Sequence, residues 1–228
     1  RNVNLYRADQ RAEAIQTHLN RQVCTRWHPE TAEWVNEYLS WDSRHRLVWI
    51  AQGEEVDRVS GTWTEHAPIQ LDGELLYADY RASYLMDDES VPQGCGVACM
   101  VSMDNGRTWQ KRATIVGPNG IPGSASNMTE PVLALDVNKN PVCVIRRADQ
   151  EQKSLLITFS KDKGQTWEGL RPLDELGPFG VFPSLVSLDC GLLGLSYGRP
   201  GVHLTFSLDG TGHRWEKPIT ILPGDRDL

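Results

Sequence analysis

The sequence lacks an excess of positive charge and contains no long hydrophobic run. Its 228 residues include 23 Lys and Arg against 30 Asp and Glu, giving a formal net charge of −7. This balance argues against a nucleic-acid groove, because such a groove needs a basic face. No apolar run approaches the roughly 20 residues of a membrane-spanning helix, so we expect no membrane span. The negative total still permits a local basic pocket for an acidic ligand.

The cysteines show none of the spacings of a metal site. They are Cys24, Cys95, Cys99, Cys143 and Cys190. No Cys-x-x-Cys pair occurs, so we predict no metal site, and no cofactor is indicated. An odd number leaves at least one thiol free, and buried free thiols are the expected state. The chain begins at Arg1 without a methionine or a signal-peptide pattern, which indicates a removed leader or part of a longer chain.

A short Ser-x-Asp motif ending in Trp occurs three times. The copies occupy residues 102–109, 160–167 and 207–215, and the third has one residue inserted before its Gly. Their aspartates are separated by 58 and 47 residues. In such a turn the Asp accepts bonds from backbone N–H groups, the Gly takes a positive φ and the Trp packs the hairpin down. We therefore interpret the motif as scaffold rather than as catalytic machinery.

Each motif lies within the same pattern of β-forming runs. Apolar or β-branched runs flank every copy, and two more runs around a turn precede it. The predicted strands cover residues 69–71, 75–80, 96–101, 112–116, 132–135, 142–145, 155–159, 169–172, 185–188, 192–197, 202–206 and 219–222. Each unit thus contains four antiparallel strands. A repeated four-stranded unit of this size predicts an all-β fold, the β-propeller, over residues 64–228.

Residues 1–63 do not follow this pattern. Apolar residues recur at helical spacing from Ala8 to Leu19, and residues 33–39 are predicted to form a second helical turn or two. Residues 46–52 are predicted to form a strand. Five of the eight Trp residues lie in this segment, so we expect it to pack against the propeller or complete it.

An arginine lies at a fixed distance from the start of each unit. Arg81 follows Glu65 by 16 residues, and Arg146 follows Glu130 by the same interval. In the third unit Pro183 takes the position of the glutamate, and Arg199 lies 16 residues beyond it. Because these arginines all come near the end of a second strand, we expect them on the same side of the ring.

The motifs resemble the Asp-box repeats of the sialidase-like propellers, and the resemblance covers about 160 of the 228 residues. It implies a six-bladed propeller of which residues 64–222 form blades three to five. Glu130 resembles the glutamate that assists the tyrosine nucleophile. Arg146 and Arg199 resemble two of the three arginines that bind the sialic acid carboxylate. The resemblance also favours a secreted or periplasmic location.

Other parts of the family pattern are missing. No convincing counterpart of the first arginine or the general acid precedes the matched region, and no tyrosine follows Tyr197. Three or four blades cannot close a six-bladed ring, so we expect a fragment or one part of a larger assembly.

Three functions remain open from the sequence. The first is an exo-glycoside hydrolase acting on a terminal acidic sugar, since guanidinium groups bind planar carboxylates bidentately. The second is a non-catalytic propeller that binds glycans or proteins. The third is a lyase or glycosidase acting on uronic-acid polymers through His66. We expect Arg81, His66 and Tyr197 to contact the substrate. An acidic glycan is the expected partner, and the sequence does not predict the oligomeric state.

Overall fold

A computed structural model defines the fold. It describes residues 23–41, 49–51, 54–56, 66–80, 96–117, 120, 128–147, 153–178 and 180–224. The predicted helix between Ala8 and Leu19, and Arg81, lie outside these residues.

The described residues form seventeen strands and one short 3₁₀ helix, Asp174–Leu176. The strands are β1 (Val23–His28), β2 (Glu33–Tyr38), β3 (Ser40–Trp41), β4 (Trp49–Ala51), β5 (Glu54–Val56), β6 (Ile69–Leu71), β7 (Glu74–Tyr80), β8 (Val97–Ser102), β9 (Thr108–Val116), β10 (Met128–Leu135), β11 (Pro141–Arg147), β12 (Leu156–Phe159), β13 (Glu168–Pro172), β14 (Val181–Ser187), β15 (Leu193–Gly198), β16 (Val202–Ser207) and β17 (Ile219–Leu222). No helix in the described ranges is long and apolar enough to span a membrane.

Three sheets carry the repeated pattern. The first contains β6 to β9, the second β10 to β13 and the third β14 to β17, and within each the strands pair antiparallel in chain order. The first sheet gains a fifth strand because β3 pairs parallel to β9. The prediction of an all-β fold with four-stranded units is thereby confirmed. The number of blades in a closed ring stays a prediction.

Alternation along each strand lets one sheet pack against both neighbours. On β11, Cys143 and Ile145 face the core shared with the first sheet, whereas Val142 and Val144 face the core shared with the third. All four side chains are fully buried. Since burial of one such aliphatic side chain contributes about 1.5–3 kcal/mol, these two cores hold the three sheets face to face, as in a β-propeller.

The first Ser-x-Asp turn has the hydrogen bonds that its chemistry predicts. Asp104 Oδ1 accepts from the backbone N–H of Thr108 at 2.8 Å, and Ser102 Oγ accepts from the N–H of Gly106 at 2.8 Å. Gly106 has φ +80°. The indole N–H of Trp109 donates to the Gly106 carbonyl at 3.1 Å. The turn therefore satisfies its own polar groups and is built for stability.

The other two turns repeat this arrangement with one difference. In the second, Thr166 N–H donates to Asp162 at 2.8 Å. In the third, the inserted residue makes Thr211 N–H the donor to Asp209, at 3.0 Å. A Cβ atom added to Gly164 would lie 2.9 Å from the sulfur of Cys99, so this glycine also allows the second turn to pack on the first sheet.

Acid should weaken these turns. Burial disfavours the charged form of Asp104 and is the largest single influence, but hydrogen bonds from Thr108, Ser102 and Arg107 together lower the pKa from 3.8 to about 2. A depressed folded-state pKa contributes stability above the unfolded value, and that stability is lost as the pH falls toward 2. In urea titrations between pH 4 and 2 we expect the unfolding midpoint to fall, and to fall less steeply in Asp104→Asn. Asp189→Asn, in an exposed hairpin loop, is the control, and equal slopes in all three proteins would contradict this role.

The helical prediction for residues 33–39 is wrong. These residues include β2, which pairs antiparallel with β1 so that Trp34 lies opposite Trp27, with ring centroids 5.5 Å apart. A cross-strand aromatic pair stabilises a hairpin, and this long-range pairing overrides the weak helical periodicity. The strand predicted over residues 46–52 is confirmed for β4. Whether residues 1–63 form a separate unit stays a prediction.

The described cysteines are free thiols. Cys99 and Cys143 are buried, as predicted, whereas Cys24 is partly exposed and Cys190 exposed. Burial raises the pKa of Cys99 to about 12 and that of Cys143 well above its ordinary value. These two thiols are therefore core side chains and not nucleophiles. No group of three or more possible metal-binding His, Cys, Asp or Glu side chains occurs within the described ranges.

Candidate functional site

Polar and aromatic side chains meet where the first strands of the three sheets begin. His66 precedes β6, Glu130 lies near the start of β10 and Phe182 near the start of β14. The His66 and Phe182 rings lie 5.3 Å apart, and the Phe182 N–H donates to Glu130 Oε2 at 2.7 Å. One contact thus joins the first sheet to the third, and the other joins the second to the third.

Glu130 is held by two donors from different strands. Its Oε1 accepts from Arg146 on β11 at 2.5 Å, and its Oε2 accepts from the Phe182 N–H on β14. The Glu130 side chain is 14% exposed and that of Arg146 is 24% exposed. Because each carboxylate oxygen has its own donor, the position of Glu130 is well defined while one edge of the pair still meets solvent. The structure thus pairs two residues that the family resemblance assigned separately to the site.

The position of one β-bulge in each sheet shows which residue of the third sheet is structurally equivalent to a given residue of the second. The last ladder pairs before the two bulges are Thr129 with Arg146 and Val181 with Gly198. Glu130 lies in the first of these bulges and Phe182 in the second, with φ of +48° and +52°. Phe182 therefore takes the position of Glu130 in the third sheet, and the sequence alignment of Pro183 with Glu130 is wrong by one residue.

The same register changes the counterpart of Arg199. Gly198 corresponds to Arg146, so Arg199 corresponds to Arg147. A shift of one residue reverses the face of a strand. Arg146 and Arg199 are consequently not equivalent members of a repeat, although the 16-residue spacing suggested that they were.

Arg146 faces the gap between the second and third sheets, and Arg199 lies at the end of a strand that borders this gap. Arg146 continues the series Val142, Val144, whose members face the third sheet. Arg199 directly follows β15, whose Leu193, Leu195 and Tyr197 pack in that same core, and it adopts a φ of +60° just beyond the strand. Arg199 is exposed, and its guanidinium has no hydrogen bond or ion pair with another described residue. The Arg199 guanidinium is therefore available to a ligand near the end of β15.

Tyr197 belongs to the core and not to the exposed part of the gap. It is 3% exposed, and its hydroxyl donates to the Leu176 carbonyl at 2.9 Å. Burial raises its pKa to about 12. Its ring stacks on His203, whose Nε2 lies 3.0 Å from the Pro200 carbonyl. The structure thus gives Tyr197 a role in packing the core.

His66 is half-buried beside Glu130. Burial lowers its pKa from 6.5, and the negative charge of Glu130 only partly offsets that effect, so the imidazole is neutral at pH 7. Its Nε2 is buried and has no hydrogen-bond partner among the described residues. A neutral imidazole with an unoccupied nitrogen can accept or donate one hydrogen bond to a ligand.

Phe182 is the site residue that the sequence analysis missed. The triplets Thr129-Glu130-Pro131 and Val181-Phe182-Pro183 are 52 residues apart and share the proline. Aligning those prolines would have placed Phe182 opposite Glu130 and shown the correct register. The signal in the sequence was the position immediately before the shared proline, and not the type of residue at that position.

A shallow groove at the opposite end of the first sheet is not the site. It is lined by residues of the first Ser-x-Asp turn, among them Met103, Asp104 and Arg107. Both carboxylate oxygens of Asp104 already accept hydrogen bonds from that turn. Few polar groups there are left to bind a ligand, so we place the candidate site at the start of the first strands.

Known proteins resemble this chain in fold and not in sequence. No protein-family model matches the sequence, and no curated protein sequence matches it. A structure of a protein of unknown function from Dyadobacter fermentans has a TM-score of 0.66 and 18% identity, covering 90% of this chain and 54% of that one. The exo-β-1,3-galactanase Pc1,3Gal43A of Phanerochaete chrysosporium has a TM-score of 0.52 and 13% identity, covering 90% and 43%.

A weaker match is the Hadza microbial sialidase Hz136, with a TM-score of 0.48 and 22% identity over 68% of this chain and 29% of the sialidase. That likeness is too low to distinguish a sialidase from other enzymes of similar shape. The chain spans about half the length of the first solved structures it matches. The galactanase is a glycoside hydrolase, and the likeness shows that this chain shares its fold over the matched residues.

Proposed function

We propose that this chain forms the sugar-binding part of a sialidase-like exo-glycoside hydrolase acting on a terminal acidic sugar. The observation that carries the proposal is the Glu130–Arg146 pair, which we place in one site with the exposed and available guanidinium of Arg199. Fold likeness to glycoside hydrolases supports the reaction class, and the charges of the gap support the acidic substrate.

The charge balance suits a monoanion. Glu130 contributes one negative charge, and Arg146 and Arg199 contribute one positive charge each. The three side chains of the proposed site together therefore carry one net positive charge. Arg146 uses one N–H group on Glu130, and a guanidinium has five. The remaining donors of Arg146 and those of Arg199 can bind a carboxylate from two sides. Charge-assisted bonds of this kind are about twice as strong as neutral ones.

Glu130 is the residue that we assign to proton transfer. A carboxylate fixed by Arg146 and by the Phe182 N–H has a defined position, and proton transfer requires the base within hydrogen-bond reach of its target. In a sialidase-like reaction that target is an aryl hydroxyl, which is about 3 pH units from ionising at neutral pH. Tyr197 does not serve as that nucleophile, because its hydroxyl is bound to Leu176 in the core.

Replacing Arg199 tests the substrate class. We expect Arg199→Ala to bind N-acetylneuraminic acid at least about 10-fold more weakly, because one charge-assisted contact worth about 1.5–3 kcal/mol is lost. Titration calorimetry with the acid and with its uncharged methyl ester measures the effect, and the ester should show little change. Arg214→Ala is the matched control, since Arg214 is an exposed arginine of the third turn, at the opposite end of the same sheet. Equal affinity in Arg199→Ala and the parent chain would remove Arg199 from the site.

A non-catalytic glycan-binding propeller is the second candidate. It is favoured by the core position of Tyr197, whose hydroxyl is bound to the Leu176 carbonyl. Binding of the acidic sugar without release of a fluorogenic aglycone would distinguish it from the hydrolase.

A lyase or glycosidase acting on uronic-acid polymers is the third candidate. The unoccupied Nε2 of His66 next to Glu130 favours it. Elimination creates an unsaturated product that absorbs in the ultraviolet, whereas hydrolysis does not, and this difference separates the two reactions.

A further inference from the structure

We infer that Phe182, backed by His66, is a platform for the apolar face of the bound sugar ring and therefore determines which sugars the site accepts. The inference rests on the proposed function for the position of the sugar. It adds to that function a contact that depends on ring shape rather than on the carboxylate.

Phe182 is unusually placed for a large apolar side chain. It is 52% exposed, and the described part of its ring packing is the contact with His66 at 5.3 Å and 47° between planes. An exposed apolar residue is common by itself. Here the backbone N–H of the same residue binds Glu130, which is paired with Arg146, so the exposed ring belongs to a residue that touches the charged pair.

The backbone of Phe182 supplies an independent observation. Its φ is +52°, a conformation that is an outlier for a bulky residue and natural for glycine. A glycine would satisfy the bulge, yet the chain has phenylalanine there. Bulges near binding sites re-aim side chains, and strained non-glycine residues concentrate where the structure uses the side chain.

The platform is fixed relative to the charged groups. The N–H of Phe182 donates to Glu130, and Glu130 accepts from Arg146. These two hydrogen bonds connect the backbone that carries the ring to the carboxylate and the guanidinium. A sugar bound beside the Glu130–Arg146 pair could place its carboxylate on the arginines and its C–H groups on the Phe182 ring.

The chemistry of this surface identifies the ligand class. The face of an aromatic ring is the negative part of its quadrupole and suits the weakly positive C–H groups of a sugar. Ligand sites generally combine aromatic walls with a few placed polar groups. His66 is neutral at pH 7, so the wall behind the ring carries no charge. The site fits a monosaccharide that has one carboxylate and one continuous C–H face.

Saturation-transfer NMR and calorimetry with three probes test this inference. The probes are N-acetylneuraminic acid, D-glucuronic acid and neutral methyl α-D-galactoside. We expect Phe182→Ala and Phe182→Gly to weaken binding of every probe that binds the parent chain by about 10-fold, the loss expected for one aromatic contact. Val186→Ala is the control, because Val186 is half-exposed on the same strand and should leave binding unchanged.

The glycine variant separates loss of the ring from loss of folding. Because glycine relieves the positive φ that alanine retains, Phe182→Gly should melt at a higher temperature than Phe182→Ala. Weak binding in both variants, with a well-folded glycine variant, supports the platform.

The outcomes distinguish this inference from the proposed function. If Arg199→Ala weakens only the acidic probes and Phe182→Ala weakens all three, both stand. If the acidic probes bind no more tightly than the neutral probe, but binding of the neutral probe still requires Phe182, the platform is supported and the acidic-sugar function is excluded. Parent-like affinity in both Phe182 variants overturns the platform alone. Failure of the parent chain to bind any probe overturns both.

Discussion

Glu130→Gln is expected to reduce release of 4-methylumbelliferone from its α-sialoside by at least about 100-fold, the usual contribution of a positioned acid or base. The amide has nearly the shape of the carboxylate but cannot take up a proton at neutral pH. It also has one oxygen where the carboxylate has two, and the native oxygens serve Arg146 and the Phe182 N–H separately. One donor therefore faces an amide N–H, at a cost in stability of about 1–3 kcal/mol.

Thermal unfolding separates the two effects of Glu130→Gln. The variant should remain folded at the assay temperature, with turnover reduced far more than substrate binding. Glu216→Gln, an exposed glutamate beyond the third turn, should match the parent chain in both measurements. Unchanged turnover in Glu130→Gln would exclude Glu130 from proton transfer. Sugar binding with no turnover in the parent chain would instead favour the non-catalytic candidate.

Leu156→Ala is expected to destabilise the fold by about 2–5 kcal/mol. Leu156 lies on β12, has no exposed surface and belongs to the core between the first and second sheets. Truncation removes buried methyl groups and leaves a cavity that the two rigid sheets can only partly close. Because this core joins neighbouring sheets, the loss affects the contact between them as well as one strand.

Urea unfolding followed by tryptophan fluorescence measures this change. Leu208→Ala is the control, since Leu208 is 59% exposed in the third turn and its truncation should change the free energy of unfolding by less than about 0.5 kcal/mol. A loss below about 1 kcal/mol in Leu156→Ala would show that the first and second sheets do not depend on a shared core.

The sequence predicted the local architecture well because its signals act over short distances. The run at residues 219–222 became β17 and that at 69–71 became β6 with unchanged bounds. The Ser-x-Asp turns were predicted equally well, because their hydrogen bonds join residues only a few positions apart. Ser102 and Thr108, for example, both donate to Asp104.

The sequence misplaced features that depend on pairing partners. Trp34 has an apolar spacing compatible with a helix, and only its position opposite Trp27 makes it part of a hairpin. The register of Arg199 was misread for a related reason. A bulge inserts one residue without changing composition, so counting 16 positions selected Pro183 where the ladder places Phe182.

The amino-acid sequence by itself determined the four-stranded units, the turns that close them and the presence of Glu130, Arg146 and Arg199 near strand ends. It did so because alternation and turn chemistry are properties of neighbouring residues. Only the tertiary structure decided that Tyr197 is buried and that Phe182 meets His66 and Glu130. These relations join three sheets whose residues lie more than 50 positions apart, and packing between sheets, not local preference, brings them together.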